Sequence, residues 1–163
     1  VGYTEPVTLA EARTFCRLKE IESEDTLLEE MITAARQAFE KAAHISIIEK
    51  SVVLWFSNPE GMYPIPAGPV QTFDALYDYQ DEEIVAADYE LIGNLYPKLK
   101  SPVQCFMKAE YTVGMTVVPK DIKQAILEQV YFLYEERGNE GDKSLCEKAW
   151  MVAQRWNRYG FVA

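Results

Sequence analysis

The stretch DTLLEEMITAARQAFEKAAHISIIEKSVVLWF, residues 25–56, changes its hydrophobic period partway along. Apolar side chains first recur every three or four positions, which is typical of one buried face of a helix. This predicts a helix from Asp25 to Ala43 with an apolar stripe of Leu28, Met31, Ile32, Ala35, Phe39 and Ala42. The other faces are predicted to carry the polar side chains Glu29, Glu30, Arg36, Gln37, Glu40 and Lys41. From residue 45 onward β-branched and aromatic residues dominate, so a strand follows the helix.

A shorter helix is predicted upstream, in EPVTLAEARTFCRL, residues 5–18. Thr8 has the residue type of an N-cap, and Glu11 lies three positions later. Together they form the pattern of a capping box, in which each side chain accepts a hydrogen bond from the other residue's backbone N–H. The helix should run to about Leu18, with Leu9, Ala12 and either Phe15 or Cys16 on its inner side.

Downstream, residues 57–64 are dense in turn formers and predict a loop. Alternating or β-rich segments at 65–79, 88–99 and 103–114 predict further strands, with residues 81–83 at a hairpin tip. Helical periodicity returns after Pro119 and ends before Gly138. Proline is common at the start of a helix and glycine just after its end, so a third helix is predicted between them. A last helix is predicted from about Ser144 to Trp156.

This element order predicts an α+β fold. Two N-terminal and two C-terminal helices form a helical core, and an antiparallel sheet or hairpin block is inserted between the second and third helices. The two long helices should pack together, since neither can leave its apolar stripe in water. We expect residues 1–156 to form a single domain and residues 157–163 to form a C-terminal tail.

Composition excludes several classes of function. The 163 residues are 48% hydrophobic and carry a net charge of −10, and residues 51–119 hold three Lys or Arg against nine Asp or Glu. An acidic chain does not bind nucleic acid by neutralising phosphates. It has no apolar run long enough for a membrane span and no signal-peptide pattern. Three distant cysteines, Cys16, Cys105 and Cys146, fit synthesis in a reducing cytoplasm.

Signatures of catalysis are missing from the sequence. The single histidine, His44, falls at a helix end, where the helix dipole favours a cation. Asp81, Glu82 and Glu83 have oxygen ligands that suit a hard cation, but three consecutive acids are more typical of a solvated turn. Asp121 and Lys123 do not share a helix face. We therefore predict no catalytic residue, no cofactor and no metal.

Four segments resemble the phage gp6-like head–tail connector family, in the right order over roughly residues 5–137. EPVTLAEARTFCRL is similar to that family's Pro–Val–Thr–Leu–x–Glu opening, and DTLLEEMITAARQAFEKAAHISI to its second helix. IPAGPVQTFDALYDYQDEE resembles its Gly–Pro–Val strand and tyrosine-bearing hairpin. VPKDIKQAILEQVYFLYEER is similar to its Val–Pro–x–Asp–Ile–Lys–Gln–Ala–Ile helix.

The resemblance implies a non-enzymatic structural protein of the virion neck. Such connectors, or adaptors, form a ring, usually a dodecamer, between the portal and a stopper or tail-completion protein. The ring lets genomic DNA pass without binding it specifically. An acidic channel wall would suit that task, so Asp81, Glu82 and Glu83 are candidate lumen residues.

The C-terminal stretch MVAQRWNRYGFVA, residues 151–163, is unusually rich in cations and aromatics for a chain end. Val152 and Trp156 continue the stripe of the last helix. The resemblance implies a portal-docking arm, for which the candidates are Arg155, Trp156, Arg158, Tyr159 and Phe161. Three alternatives stay open: another neck or tail-completion protein, such as a stopper or terminator; a small cellular binding module; and a metal-dependent hydrolase that uses the acidic tip at residues 81–83.

Overall fold

The computed structural model describes residues 4–18, 24–57, 62–101, 106–137 and 144–158, and these fall into two compact units. The helical unit combines Val1–Ile47 with Val117–Ala163. The sheet unit, Ile48–Thr116, is inserted between them. The α+β class and the position of the strands between the second and third helices are therefore as predicted.

Four helices build the helical unit: α1, Leu9–Phe15; α2, Asp25–Ala43; α3, Lys120–Glu135; and α4, Glu147–Trp156. The bounds of α2 match the prediction, while α1 ends earlier and α4 begins later than expected. The central helix α2 packs against the other three, so the predicted pairing of the two long helices is confirmed. Their shared core consists of Leu28, Met31, Ile32, Ala35, Phe39, Ile122, Ala125, Ile126, Val130, Ala149 and Ala153.

The predicted capping box begins α1. The backbone N–H of Glu11 donates to Thr8 Oγ1 at 3.2 Å, and the backbone N–H of Thr8 donates to Glu11 Oε2 at 2.7 Å. The Thr8 hydroxyl also donates to Glu11 Oε2 at 2.9 Å, and the two hydrogen bonds that this carboxylate accepts, that from the backbone first, hold the pKa of Glu11 below its ordinary value. Two otherwise unpaired N–H groups of the first turn are thereby satisfied.

The prediction for Arg36 and Glu40 was wrong. Both were expected on polar faces of α2, but only 3% of Arg36 and 9% of Glu40 is exposed. Arg36 Nε donates to Glu5 Oε2 at 2.8 Å, and Arg36 Nη1 donates to Glu40 Oε2 at 2.8 Å. Glu40 Oε1 accepts from the backbone N–H of Ile47 at 2.6 Å. Burial is tolerated because each charge has an opposite charge and hydrogen bonds.

Gln129 secures the start of α4 and is only 1% exposed. Its Nε2 donates to the Ser144 carbonyl at 3.2 Å, and its Oε1 accepts from the backbone N–H of Cys146 at 2.7 Å. One buried amide therefore uses both its donor and its acceptor to hold the segment that leads into α4.

Six strands build the sheet unit: β1, Lys50–Ser57; β2, Met62–Pro64; β3, Val70–Tyr77; β4, Glu90–Ile92; β5, Lys98–Lys100; and β6, Phe106–Val113. They form two three-stranded antiparallel sheets, ordered β1–β6–β3 and β2–β5–β4. The loop predicted over residues 57–64 was wrong at its end, because Met62–Pro64 pairs with β5. The predicted antiparallel block is thus two sheets rather than one.

Both sheets contribute to one hydrophobic core in this unit. Its fully buried members are Phe56, Ile65, Leu76, Leu99, Met107, Ala109, Tyr111 and Val113. The Tyr111 hydroxyl donates to the Pro66 carbonyl at 2.9 Å, which satisfies its polar end inside the core. After β6 the backbone of Gly114 adopts φ +136°, and a Cβ there would lie 2.7 Å from Glu49 Cα. Glycine is required at that close approach.

Candidate interaction surfaces

The acidic segment at residues 78–83 is a turn that follows β3. Asp78 Oδ1 accepts from the backbone N–H of Gln80 at 2.7 Å and from that of Glu82 at 3.0 Å. Asp81 adopts φ 63°, in the left-handed region. Tyr77 and Glu83 form an isolated antiparallel bridge. The turn predicted for Asp81, Glu82 and Glu83 is confirmed, and its acids are held in one small, exposed loop.

Lys108 of β6 fastens this turn to the sheet. Its Nζ lies 2.8 Å from Asp81 Oδ1, 3.6 Å from Glu110 Oε1 and 4.0 Å from the centroid of the Tyr77 ring. The hydrogen bond to Asp81 raises the pKa of Lys108 above its ordinary value. Of the three candidate lumen carboxylates, Asp81 is therefore already matched by a cation.

Within the described ranges, no three His, Cys, Asp or Glu side chains cluster as a metal ion would require. His44 is the C-cap of α2, with φ 54°, as its position in the sequence predicted. In the same described part of the chain, no helix has the length and apolarity needed to cross a membrane.

The outer face of the first sheet carries an exposed apolar patch, formed by Val53, Trp55 and Phe106, which we call the β1 patch. These side chains are 57%, 60% and 64% exposed, respectively. In the register of the sheet, Trp55 pairs with Lys108 and Ser57 pairs with Phe106, so Trp55 and Phe106 are diagonal neighbours on one face. Three large apolar side chains thus share one surface.

A second exposed surface lies on α4 and comprises Trp150, Met151 and Arg155, which we call the α4 face. Trp150 is 47% and Met151 48% exposed. Ala149 and Ala153 of the same helix are fully buried. Because residues three and four apart share a helix face, burial of the alanines fixes the outward orientation of Met151 and Arg155.

The candidate docking residues divide into three groups. Arg155 is exposed, whereas Trp156 and Arg158 are half-buried. Trp156 Nε1 donates to Asp121 Oδ2 at 2.9 Å, and the backbone N–H of Arg158 donates to the Ala43 carbonyl at 3.1 Å. Tyr159 and Phe161 lie outside the described residues. The chain is therefore held to the helical unit as far as Arg158.

Sequence reasoning missed Trp150 and Met151. The signal was present, because the stripe Ala149, Val152, Ala153 and Trp156 leaves positions 150 and 151 on the opposite face. Two large apolar residues off the stripe of a short helix are thus an exposed apolar surface that the sequence pattern could have revealed.

Comparison with known proteins assigns the family. The model of the phage gp6-like head–tail connector protein family matches residues 6–98, more than half of the chain. The chain belongs to this family. It is accordingly a head–tail connector, a structural protein of the virion. The match covers α1, α2 and the strands as far as the start of β5.

Solved structures share the connector fold. One is a chain in the neck of an empty gene transfer agent particle computed with C6 symmetry, and another is a chain in the virion of a native gene transfer agent particle. Each has a TM-score of 0.76 and 22% identity, covering 96% of this connector and 95% of that chain. A chain in the neck of the native particle computed with C12 symmetry has a TM-score of 0.65 and 18% identity, with the same coverage. No curated protein matches the connector.

Proposed function

We propose that the connector assembles into a ring of twelve copies beneath the portal of a tailed phage or prophage. The ring continues the DNA channel and presents a platform to a stopper or tail-completion protein, without catalysis. The supporting observation is family membership, together with the shared fold of chains in particle necks that were computed with C6 and C12 symmetry. Twelve copies around an axis are compatible with both symmetries.

The α4 face is the surface that we assign to the portal, and it extends the docking arm expected from residues 155–161. It combines an exposed Trp, a Met and an Arg on a helix anchored by Ala149, Ala153 and the Trp156–Asp121 hydrogen bond. Trp and Arg are favoured where interfaces hold most of their binding energy. The following tail, residues 159–163, then adds contacts to the same partner.

Two methionines provide a matched test of portal docking. Met151 on the α4 face is 48% exposed, and Met62 on β2 is 45% exposed. A glutamate at position 151 would lie one helical turn before Arg155, and a glutamate at position 62 would lie opposite Lys100 in the sheet. Because each new carboxylate has a cation beside it, both Met→Glu variants should fold. We expect M151E to bind the cognate portal at least tenfold more weakly than wild type and M62E to bind normally. Equal binding of M151E and wild type would remove this assignment.

The tail is tested by truncation. Deleting residues 159–163 leaves the bonds of Trp156 and Arg158 in place, so the subunit should melt like wild type but bind the portal more weakly. Deleting residues 157–163 also removes the Arg158–Ala43 hydrogen bond and should lower the melting temperature. Wild-type portal binding by the shorter truncation would show that the tail has no docking role.

We assign Glu82 and Glu83 to the wall of the DNA channel, where like charge keeps DNA mobile. Asp81 contributes less, since Lys108 pairs with it. Particles carrying E82K and E83K together should eject DNA more slowly, most clearly at low salt. An unchanged ejection rate would place the acidic turn away from the channel.

A further inference from the structure

Strand β1 is apolar on both faces, although the described residues cover only one of them. Val52, Leu54 and Phe56 pack toward the core, while Val53 and Trp55 point outward and are more than half exposed. A continuous apolar run of this kind is typical of a strand that is buried on both sides. The adjacent strand β6 instead alternates apolar inward residues with Lys108, Glu110 and Thr112 on its outer face.

The two edges of this sheet are protected differently. Among the described residues, β1 and β3 are the edge strands of the order β1–β6–β3. Strand β3 carries two register shifts and the charged Asp74, which are devices that discourage pairing with another chain. Strand β1 pairs with β6 over eight residues without a shift, and it has neither proline nor charge from Ser51 to Ser57. In the part of the chain that the structure describes, the β1 edge therefore lacks the features that discourage pairing with a partner.

We propose that the β1 patch, with the adjacent edge of β1, is the contact through which one copy of this chain binds the next copy in the ring. This inference rests on the proposed ring. The occupant of the β1 patch is a second copy of the same chain.

Charge supports a second copy as the occupant. Each copy carries a net charge of −10, so two copies repel unless they meet through a surface without excess negative charge. The outward residues of β1 are uncharged. Beside them Lys108 of β6 lies 2.8 Å from Asp81 and 3.6 Å from Glu110, so these three neighbouring side chains together carry only one net negative charge. The β1 patch itself is uncharged and apolar, so it offers the acidic chain a surface for self-association that avoids most of its negative charge.

The geometry of a ring also specifies the mode of contact. If β1 paired with β1 of another copy across a two-fold axis, the assembly would close as a dimer. A ring requires that the β1 patch meet a different surface of the next copy, so that each copy uses two unlike faces. We therefore expect rings and no closed dimers.

Two valines provide a matched test. Val53 in the β1 patch is 57% exposed, and Val85, outside the patch, is 59% exposed. A lysine on an edge strand is a natural block to strand pairing, and V53K faces Glu110 of β6, so the subunit should still fold. The control V85K makes the same change in charge. W55T, a polar substitution with good strand propensity, is the second test variant.

Each variant is examined by native mass spectrometry and negative-stain imaging over a range of concentrations, alone and with the cognate portal. Circular dichroism and thermal melting establish folding. We expect V53K and W55T to need at least tenfold more protein than wild type to form rings, with V85K unchanged.

Several results would overturn the inference. If V53K and W55T form rings like wild type, the β1 patch is not the contact, although the proposed ring stands. If V85K is as defective as V53K, added charge rather than the patch is responsible. Wild-type protein that closes as a dimer through β1 contradicts the heterologous contact. Wild-type protein that forms no ring even on the portal contradicts the proposed function itself, and this inference with it.

Discussion

The helical unit and the sheet unit use their side chains for different purposes. In the helical unit, polar side chains connect elements to one another: Arg36 to Glu5 and Glu40, Gln129 to the start of α4, and Trp156 to Asp121. In the sheet unit, eight of the thirteen exposed large apolar side chains of the described residues are found, although this unit is the smaller one. The helical unit is thus held together by buried polar contacts, whereas the sheet unit exposes more of its large apolar side chains.

Removing the buried cation of the helical unit should have the largest effect on stability. The substitution R36M leaves Glu40 with an unpaired charge in the core, so we expect a loss of about 3–5 kcal/mol in the free energy of unfolding. The matched control R13M removes the partner of Asp25, whose pair is more exposed at 27% and 29%, and should cost roughly 1 kcal/mol. Urea denaturation measures both variants. Equal losses would show that the buried network contributes no more than a partly exposed ion pair.

In the sheet unit, backbone geometry rather than charge should be the sensitive feature. G114A places a Cβ 2.7 Å from Glu49 Cα at φ +136°, which combines strain with a backbone clash. We expect a loss of roughly 2–4 kcal/mol in stability. The control G93A has φ +108°, but its nearest neighbour lies at 3.4 Å, so it should lose less. Thermal melting separates them, and a G93A loss as large as that of G114A would leave the clash without a role.

The attachment of α4 should be weakened by Q129L. This change leaves the Ser144 carbonyl and the Cys146 N–H without their side-chain partner, at a cost of about 1–3 kcal/mol. The control Q124L lies on an exposed position of α3 and should be nearly neutral. Because α4 carries the proposed portal surface, Q129L should also weaken portal binding. Wild-type stability of Q129L would contradict the role assigned to this amide.

The smallest effect is expected at the capping box. The pKa of Glu11 is lowered in the folded state, so its contribution to stability is present above its unfolded pKa and is lost as pH falls through the folded value. T8A should cost about 1 kcal/mol near neutral pH and should flatten the pH dependence of stability in the acid range. The double variant T8A/E11Q should lose little more than either single change. Additive losses would show that the two residues act independently.

Sequence patterns predicted much of the fold for identifiable physical reasons. The bounds of α2 follow from one apolar stripe, and the start of α1 follows from the local hydrogen bonds of Thr8 and Glu11. The burial of Arg36 could not be predicted in this way, because its partner Glu5 is 31 residues distant and is placed only by tertiary packing. The pairing of Met62–Pro64 with β5 depends in the same way on tertiary structure.

The interaction surfaces were predictable only in part. Strand β1 has apolar residues at both odd and even positions, so alternation alone does not tell which face is buried in the subunit. The structure resolves this by placing Phe56 in the core and Trp55 outside. For α4, the stripe could have revealed Trp150 and Met151, whereas the hydrogen bond that holds Arg158 to Ala43 has no signature in the sequence.

The most direct test of this account is a cryo-EM map of the connector bound to its cognate portal. We expect a twelve-membered ring in which Val53, Trp55 and Phe106 of each copy are buried against the next copy, while Trp150, Met151 and Arg155 contact the portal. A ring in which the outer face of β1 stays open to solvent would contradict it.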